Sequence, residues 1–353
     1  MNRMLNLKYT VVFCACLASA MLGFPVAHAG PYDAEYVFGD SLSDNGNAAE
    51  FQGEAYPYPP SYHDAYTNGP VAVALLAKSL GLPALEPSLW ANGFMDVHNI
   101  FGQGFVPGTN YAFAGATASD DGTIVPGANL PDQVKAYTTL VSSVADPSAL
   151  YVVMIGGNDV ILATLAGLSA PDAEPLLMGS VTSEVDQIKT LVKDGAKNFL
   201  VVNVPDVGLI PLVSGNSSES AAATADSKFY DSQLNMQLAG LSLPAGAALH
   251  EFDLYDFNTT ILDNAMTLGF MNTTQACYSN TPFSDASATG CDTSNINSFV
   301  YWDDVHPTKP VQALWAQGMQ QAIPEASTWA MLLMGFAGTA FMGLRSARKG
   351  RTA

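Results

Sequence analysis

No arginine stands between Gly30 and Ile323. Seven lysines face 31 acids in that stretch, a net charge of −24. A field of that sign repels phosphate backbones and anionic membrane surfaces, so nucleic acid is not an expected partner. It suits a soluble exported protein, or one that meets a neutral polymer. Cysteine is scarce. Of the four, Cys14 and Cys16 lie near the N-terminus, which leaves Cys277 and Cys291. No further ligands stand near that pair at zinc-binding spacing, and neither a metal nor an organic cofactor is expected. Histidine is scarce too: only His63, His98, His250 and His306 lie beyond the first 29 residues. There is no internal repeat. There is also no G-x-S-x-G, which argues against the nucleophile elbow of α/β-hydrolases.

What is present is apolar. The chain has 353 residues, 48% hydrophobic and 13% charged, enough to bury a large core. Arg3 and Lys8, the apolar run Val11 to Phe24, and Ala27-His28-Ala29 make the three parts of a secretory signal over residues 1–29. In an exported chain the two remaining cysteines most simply form one disulfide, Cys277–Cys291; two free thiols are the alternative. At the other end, Ile323-Pro324-Glu325-Ala326 precedes an apolar run, Trp329 to Leu344, and the basic residues Arg345, Arg348, Lys349 and Arg351. This ending resembles the PEP-CTERM sorting tail, with Pro-Glu-Ala where Pro-Glu-Pro is usual. The resemblance implies a sorting tail over residues 323–353 with a short transmembrane helix and transient inner-membrane anchoring. It also implies an exosortase-type processing enzyme as partner. The route would run through the periplasm to the cell surface or extracellular matrix of a Gram-negative bacterium. A permanent anchor is the alternative.

Between these ends the chain alternates strand and helix. Tyr36–Phe38, Leu150–Ile155 and Phe199–Val204 are apolar runs of strand length, and His250–Leu254 is read as a further strand. Helices are predicted over Pro70–Leu80, Ser183–Lys193 and Ala225–Leu241. Repeated β-then-α units imply an α/β fold with a parallel sheet and helices on both faces. Ser214–Ser220 reads as a polar surface loop, Gly102–Gly127 as a glycine-rich loop, and Thr274–Asn297 as an aperiodic insertion. Phe51–Tyr66, with four tyrosines and three prolines, is either an aromatic rim for sugar or acyl contacts or a stiff surface loop.

Three polar blocks follow one another in the order that acyl transfer requires: GDSLSDNGN (Gly39–Asn47), IGGND (Ile155–Asp159) and WDDVHPT (Trp302–Thr308). The reaction needs a nucleophile, a base and donors for a developing oxyanion. Ser41 follows a strand and would sit at the carboxyl end of the sheet, where open α/β folds bind ligands. His306 has a carboxylate three residues before it, which would fix its tautomer and stabilise the imidazolium. Asp303 and Asp304 compete for that role. Asn158, behind two glycines, has an amide able to donate to an oxyanion. Asp40, Asp44 and Asn47 carry hard oxygens, but not at EF-hand spacing. Bonding the loop that carries Ser41 is their expected task.

These blocks, with a fourth, GTNYAFAGATA (Gly108–Ala118), resemble the GDSL group of the SGNH hydrolases from about Tyr36 to Gly318. The resemblance implies a three-layer α/β/α, flavodoxin-like fold in one domain, residues 30–322, acting as a monomer. It implies a serine esterase in which Ser41 attacks, His306 is the base, and D-x-x-H selects Asp303. Gly115 and Asn158 would complete the oxyanion hole, with Gly108 an open alternative to Gly115. Asn110 would tie loops together. The implied substrates are esters of short acids or acylated carbohydrate. Alternatives are a lipase or phospholipase on longer chains, a catalytically silent exopolysaccharide-binding protein, or a membrane-anchored structural protein.

Overall fold

A computed structural model describes residues 32–52, 61–88, 108–120, 125–278 and 291–323. The signal segment, the C-terminal tail beyond Ile323, His98 and the middle of the tyrosine-rich stretch lie outside these residues.

Four strands form the central sheet: β1 (Glu35–Gly39), β2 (Leu150–Met154), β3 (Asn198–Val202) and β4 (Ala248–Phe252). They lie side by side in chain order, all parallel, with Gly39, Met154, Val202 and Phe252 in register at one end. β2 is buried along its whole length, which its uninterrupted Leu-Tyr-Val-Val-Met run requires. Beyond β1, Thr109–Phe113 runs alongside: Val37 N–H donates to Thr109, and Tyr111 N–H donates back to Val37. The glycine-rich second block therefore lies beside the serine block.

Among the described residues the helices of six or more residues are α1 (Asn47–Gln52), α2 (Ala72–Ser79), α3 (Leu130–Leu140), α4 (Gly157–Leu165), α5 (Ala170–Asp194), α6 (Ser217–Ala239), α7 (Leu254–Asp263) and α8 (Lys309–Ala322). α3, α4, α5 and α6 pack together as one group, and α2, α7 and α8 as another. This is the expected α/β architecture, with helices flanking a parallel sheet. A second, two-stranded sheet pairs β5 (Asn272–Ala276) with β6 (Phe299–Tyr301). The Cys277–Cys291 disulfide closes beside it, with 5.0 Å between Cα atoms.

Several boundaries differ from the sequence expectations. α6 starts within the stretch expected to be a loop, because Asn216 accepts the Ser218 and Glu219 N–H groups and caps the helix. α5 begins at Ala170, not Ser183, and carries Pro175 inside its early turns. Part of the expected aperiodic insertion is strand β5.

The expected transmembrane helix, and with it the transient inner-membrane anchoring, is corrected. Among the described residues no helix is long and apolar enough to cross a membrane. The longest, α5 and α6, are amphipathic or polar. The run Trp329–Leu344 lies outside the described residues.

Candidate active site

β1 delivers Ser41. At the strand's last residue, Gly39, a Cβ would lie 2.5 Å from the Met154 carbonyl oxygen, so only glycine lets β1 and β2 close here. Gln133 on α3 bonds both backbone groups of Gly39. Its Oε1 accepts Gly39 N–H at 2.9 Å and its Nε2 donates to Gly39 O at 2.7 Å. The chain then turns sharply. Ser43 and Asp44 N–H donate to the Asp40 carbonyl, and Leu42 N–H to the Asp40 carboxylate at 2.9 Å. Ser41 sits at the head of this turn, 7% exposed.

His306 reaches it from a tight turn after β6. Its Nε2 lies 2.7 Å from Ser41 Oγ, and its Nδ1 lies 2.8 Å from Asp303 Oδ2. A carboxylate only accepts, so the ring proton belongs on Nδ1 and Nε2 is left to accept from the serine. Asp303 Oδ1 also takes the Val305 and His306 N–H groups at 2.8 and 2.6 Å, which locks the turn. Of the two competing acids, Asp303 makes these bonds. Asp304 is half-buried, and among the described residues its carboxylate has no hydrogen bond; only its backbone carbonyl is engaged, by Leu212 N–H. Burial and the neighbouring Asp303 raise the Asp304 pKa. The Tyr66 ring packs against the other side of His306, with centroids 4.9 Å apart.

Asn158 is the second residue of α4. Gly156 before it has φ +108, and a Cβ there would strike the Tyr230 ring at 2.6 Å. Asn158 Nδ2 donates to Ala116 O at 2.8 Å, which leaves its second amide hydrogen for another acceptor. Gly115, at φ +82, is thereby held beside it. Neither Gly115 N–H nor Ser41 N–H has an acceptor among the described residues. The structure thus places the Asn158 amide against the backbone that follows Gly115. Gly108 lies in another setting, packed against the Glu86–Pro87 backbone, where a Cβ would clash at 2.0 Å.

Buried acids tie these loops together. Asp44 accepts four backbone N–H groups, from Gly46, Asn47 and Ala48 on its own loop and from Ala114 beside Gly115. Asn47 donates to Asn110 O and Ala112 O, and Asn110 donates to Ser43 O and Asn45 Oδ1. The expected loop-bonding role of Asp44, Asn47 and Asn110 is what these bonds show. Asp159 accepts Ala118 N–H at 3.0 Å from the other side. Burial raises all these carboxyls: Asp40 to about 7, Asp44 to about 6 and Asp159 to about 6. Backbone donors hold each of them lower than burial alone would.

His63 and His250 do not join the site, as expected. Gln133 and Tyr66 were missed. Gln133 lies on a helix that no sequence signal marked, and Tyr66 was one tyrosine among four. Tyr62 of the same stretch is exposed, so of its two described tyrosines one packs on the site and one lies at the surface.

The serine, histidine and aspartate form a continuous hydrogen-bonded relay, the arrangement of a serine-type ester hydrolase. Comparison with known proteins gives the same family. Lipase 1 of Photorhabdus luminescens is 33% identical over 59% of this chain, which spans only 27% of that protein. GDSL esterase/lipase LTL1 of Arabidopsis thaliana is 24% identical over 78% of this chain and 83% of its own. Acetylajmalan esterase 2 of Rauvolfia serpentina is 26% identical over 70% of this chain and 76% of its own. The family model for GDSL-like Lipase/Acylhydrolase matches residues 36–319, nearly the whole described fold, and the chain belongs to that family.

Proposed function

We propose that the protein is an exported carboxylic ester hydrolase acting on short acyl esters, among them acyl groups on carbohydrate. The relay from Asp303 through His306 to Ser41 carries this reading. Ser41 Oγ attacks the acyl carbonyl carbon while its proton passes to His306 Nε2. The Ser41 and Gly115 N–H groups and the Asn158 amide hold the oxyanion. His306 returns the proton to the departing alkoxide, so an alcohol leaves and an acyl-Ser41 ester remains. Water then attacks that ester, giving one proton to His306. As the acid leaves, the proton goes back to Ser41. Asp303 stays ionised throughout and stabilises the imidazolium.

The acidic surface favours a neutral substrate over an anionic lipid surface. One relative is named an acetylajmalan esterase, which supports acetyl-sized acyl groups. A lipase acting on longer chains is the alternative, favoured by the name of another relative. Export rests on the segment 1–29 and is supported by the disulfide, which suits an oxidising compartment. Residues 30–322 would be the hydrolase domain. Residues 323–353 would be a sorting tail on the way to the surface of a Gram-negative cell.

Hydrolysis of p-nitrophenyl esters from acetate to palmitate tests the activity. The expected result is turnover by the wild type and none by Ser41→Ala. Equal turnover by both would end the proposal. Mass spectrometry of the protein recovered outside the cell tests both ends: a chain starting before Gly30, or running through to Ala353, would remove the sorting scheme.

A further inference from the structure

Unfavourable backbone stands just before the tyrosine that meets His306. His63 and Asp64 have φ 46 and φ 62, two neighbouring left-handed residues that each carry a Cβ. They make the tight turn of a small hairpin: Ala65 N–H donates to Tyr62 O at 3.0 Å, and Tyr62 N–H to Thr67 O at 2.9 Å. Such turns favour glycine, so without it the surrounding structure must hold the shape. Here the histidine's own segment does so. Asn68 Oδ1 accepts Lys309 N–H, just past His306, at 2.7 Å, and Asn68 Nδ2 donates to Asn297 Oδ1 at 3.1 Å. Gly69 packs on the Lys309 side chain, where a Cβ would come within 2.5 Å. Ala72 N–H donates to Gln312 Oε1 at 2.8 Å. These ties seat one buried ring, Tyr66, against the imidazole, with centroids 4.9 Å apart and 41° between the planes.

The imidazole needs such a support at one stage of turnover. Rotation about its Cβ–Cγ bond is soft. In the resting enzyme both ring nitrogens are held, Nδ1 by Asp303 and Nε2 by Ser41 Oγ. Once Ser41 is acylated, its Oγ is an ester oxygen with no proton to give, and Nε2 loses that bond. Among the described residues the ring then keeps only its Nδ1 contacts with Asp303. A misplacement of about 1 Å at this point costs roughly a hundredfold in rate. A ring that leans on Tyr66 cannot turn without displacing a close-packed neighbour.

We infer that Tyr66 is a positioning residue for deacylation: it keeps His306 Nε2 aimed at the attacking water while Ser41 carries the acyl group. The inference rests on the esterase reading and adds a residue to it. No bond to Tyr66 forms or breaks, and the water still gives its proton to Nε2. Acylation depends on Tyr66 less, because the Ser41–His306 bond itself aims the ring at that stage. The contact is made by the ring of Tyr66, so phenylalanine can supply it.

Steady-state and stopped-flow hydrolysis of p-nitrophenyl acetate by the full chain tests this. Wild type, Tyr66→Leu, Tyr66→Phe, Asn68→Ala and Ser41→Ala are compared, with circular dichroism to confirm folding. In Tyr66→Leu, kcat and KM should fall together about tenfold, while kcat/KM, which reports acylation, stays within about threefold. A burst of p-nitrophenol should precede the slow phase, and mass spectrometry should find an acetyl group on Ser41. Tyr66→Phe should restore kcat to within about threefold of wild type. Asn68→Ala keeps the ring but frees the hairpin from Lys309 and Asn297. It should show the same signature more weakly, and it carries the test should Tyr66→Leu fail to fold. A merely structural role would reduce the amount of active enzyme, lowering kcat and kcat/KM equally with no acetyl-enzyme. That result, unchanged kinetics in the folded variants, or no recovery in Tyr66→Phe would overturn the inference. Wild-type turnover that is absent in Ser41→Ala would still stand for the esterase itself, whereas no turnover by the wild type would remove both readings.

Discussion

Replacing Asp303 by asparagine should lower kcat by about 10³ to 10⁴, while the same change at Asp304 should cost less than about threefold. The difference follows from the atoms each acid holds. Asparagine can keep its oxygen at the Oδ1 position, where Val305 and His306 N–H donate, so the turn survives. Its NH₂ then falls at Oδ2, the atom 2.8 Å from His306 Nδ1. An amide nitrogen only donates, so it opposes a proton on Nδ1, whose remaining acceptor at the Oδ1 position, 2.9 Å away, is already shared by two backbone N–H groups, and the tautomer with the proton on Nε2 is favoured. Nε2 then cannot take the Ser41 proton across the 2.7 Å contact. The negative charge that stabilised the imidazolium is lost as well. At about 1.36 kcal/mol per decade, the expected fall is about 4–5.5 kcal/mol of transition-state stabilisation. Asp304 contributes only its backbone carbonyl, which any residue supplies. Its removal also relieves repulsion with Asp303. Steady-state hydrolysis of p-nitrophenyl acetate, with circular dichroism to confirm folding, measures both. Should Asp304→Asn lose a hundredfold or more while Asp303→Asn stays within tenfold, the assignment of the orienting acid is wrong.

Asn158→Ala should reduce kcat by about 10²–10³ with little change in KM, because the amide is called on only as the oxyanion forms; a change in KM alone would place it in ground-state binding. Glu184, fully buried and bonded to Tyr230 Oη at 2.7 Å, is raised to about 8, chiefly by burial. The folded state therefore keeps a proton that the unfolded chain has lost between about pH 4.5 and 8, and stability falls as pH rises through that window. Glu184→Gln keeps an acceptor for Tyr230 and removes this titration. The drop in Tm from pH 5 to pH 8.5 should shrink by a few degrees, and identical slopes in both proteins would reject the account. Cys277→Ser with Cys291→Ser should cost about 3 kcal/mol of stability, from a cross-link spanning 14 positions, and shift the urea midpoint by about 1 M. Activity far below that midpoint should persist within a few-fold, since neither sulfur touches the relay.

The first three strands of the sheet were legible because they are short apolar runs followed closely by glycine or proline. Leu150–Met154 and Asn198–Val202 fall within a residue or two of where the sequence puts them. The catalytic trio was legible because each member sits in a local pattern a few residues long. α3 and α8 were not, since their polar residues face inward as well as outward. Gln133 on α3 and Gln312 on α8 are both buried, breaking the apolar stripe that marks a helix. Both are used for long-range bonds: Gln133 with Gly39, and Gln312 with Ala72 N–H at 2.8 Å. A residue whose partner lies 94 or 240 positions away leaves no local signal. Nor does the start of α6, which depends on a single capping asparagine inside an otherwise loop-like sequence.

The acids that made the sequence look merely soluble have a second task inside it. Fixing a loop residue costs about 1–2 kcal/mol in backbone entropy, and the site is built almost wholly of loop. Apolar packing cannot bear that cost alone, because loop backbone carries polar groups that must be paired. Asp44 bonds the serine loop to Ala114, and Asp159 bonds the first turn of α4 to Ala118. Gly115 lies between these two anchor points, and Asn158 holds Ala116 from the same side. A donor pinned on both flanks need not reorganise when charge develops on the substrate, which is the condition for a preorganised oxyanion hole. The charge-assisted bonds offset the burial of each carboxylate only while their donors stay in place. Asp44→Ala would therefore free Ala114 and leave Gly115 held from one side. Its expected signature is a loss in kcat larger than the loss in KM. A variant that lost stability while kcat stayed unchanged would mean that Asp44 holds only its own turn.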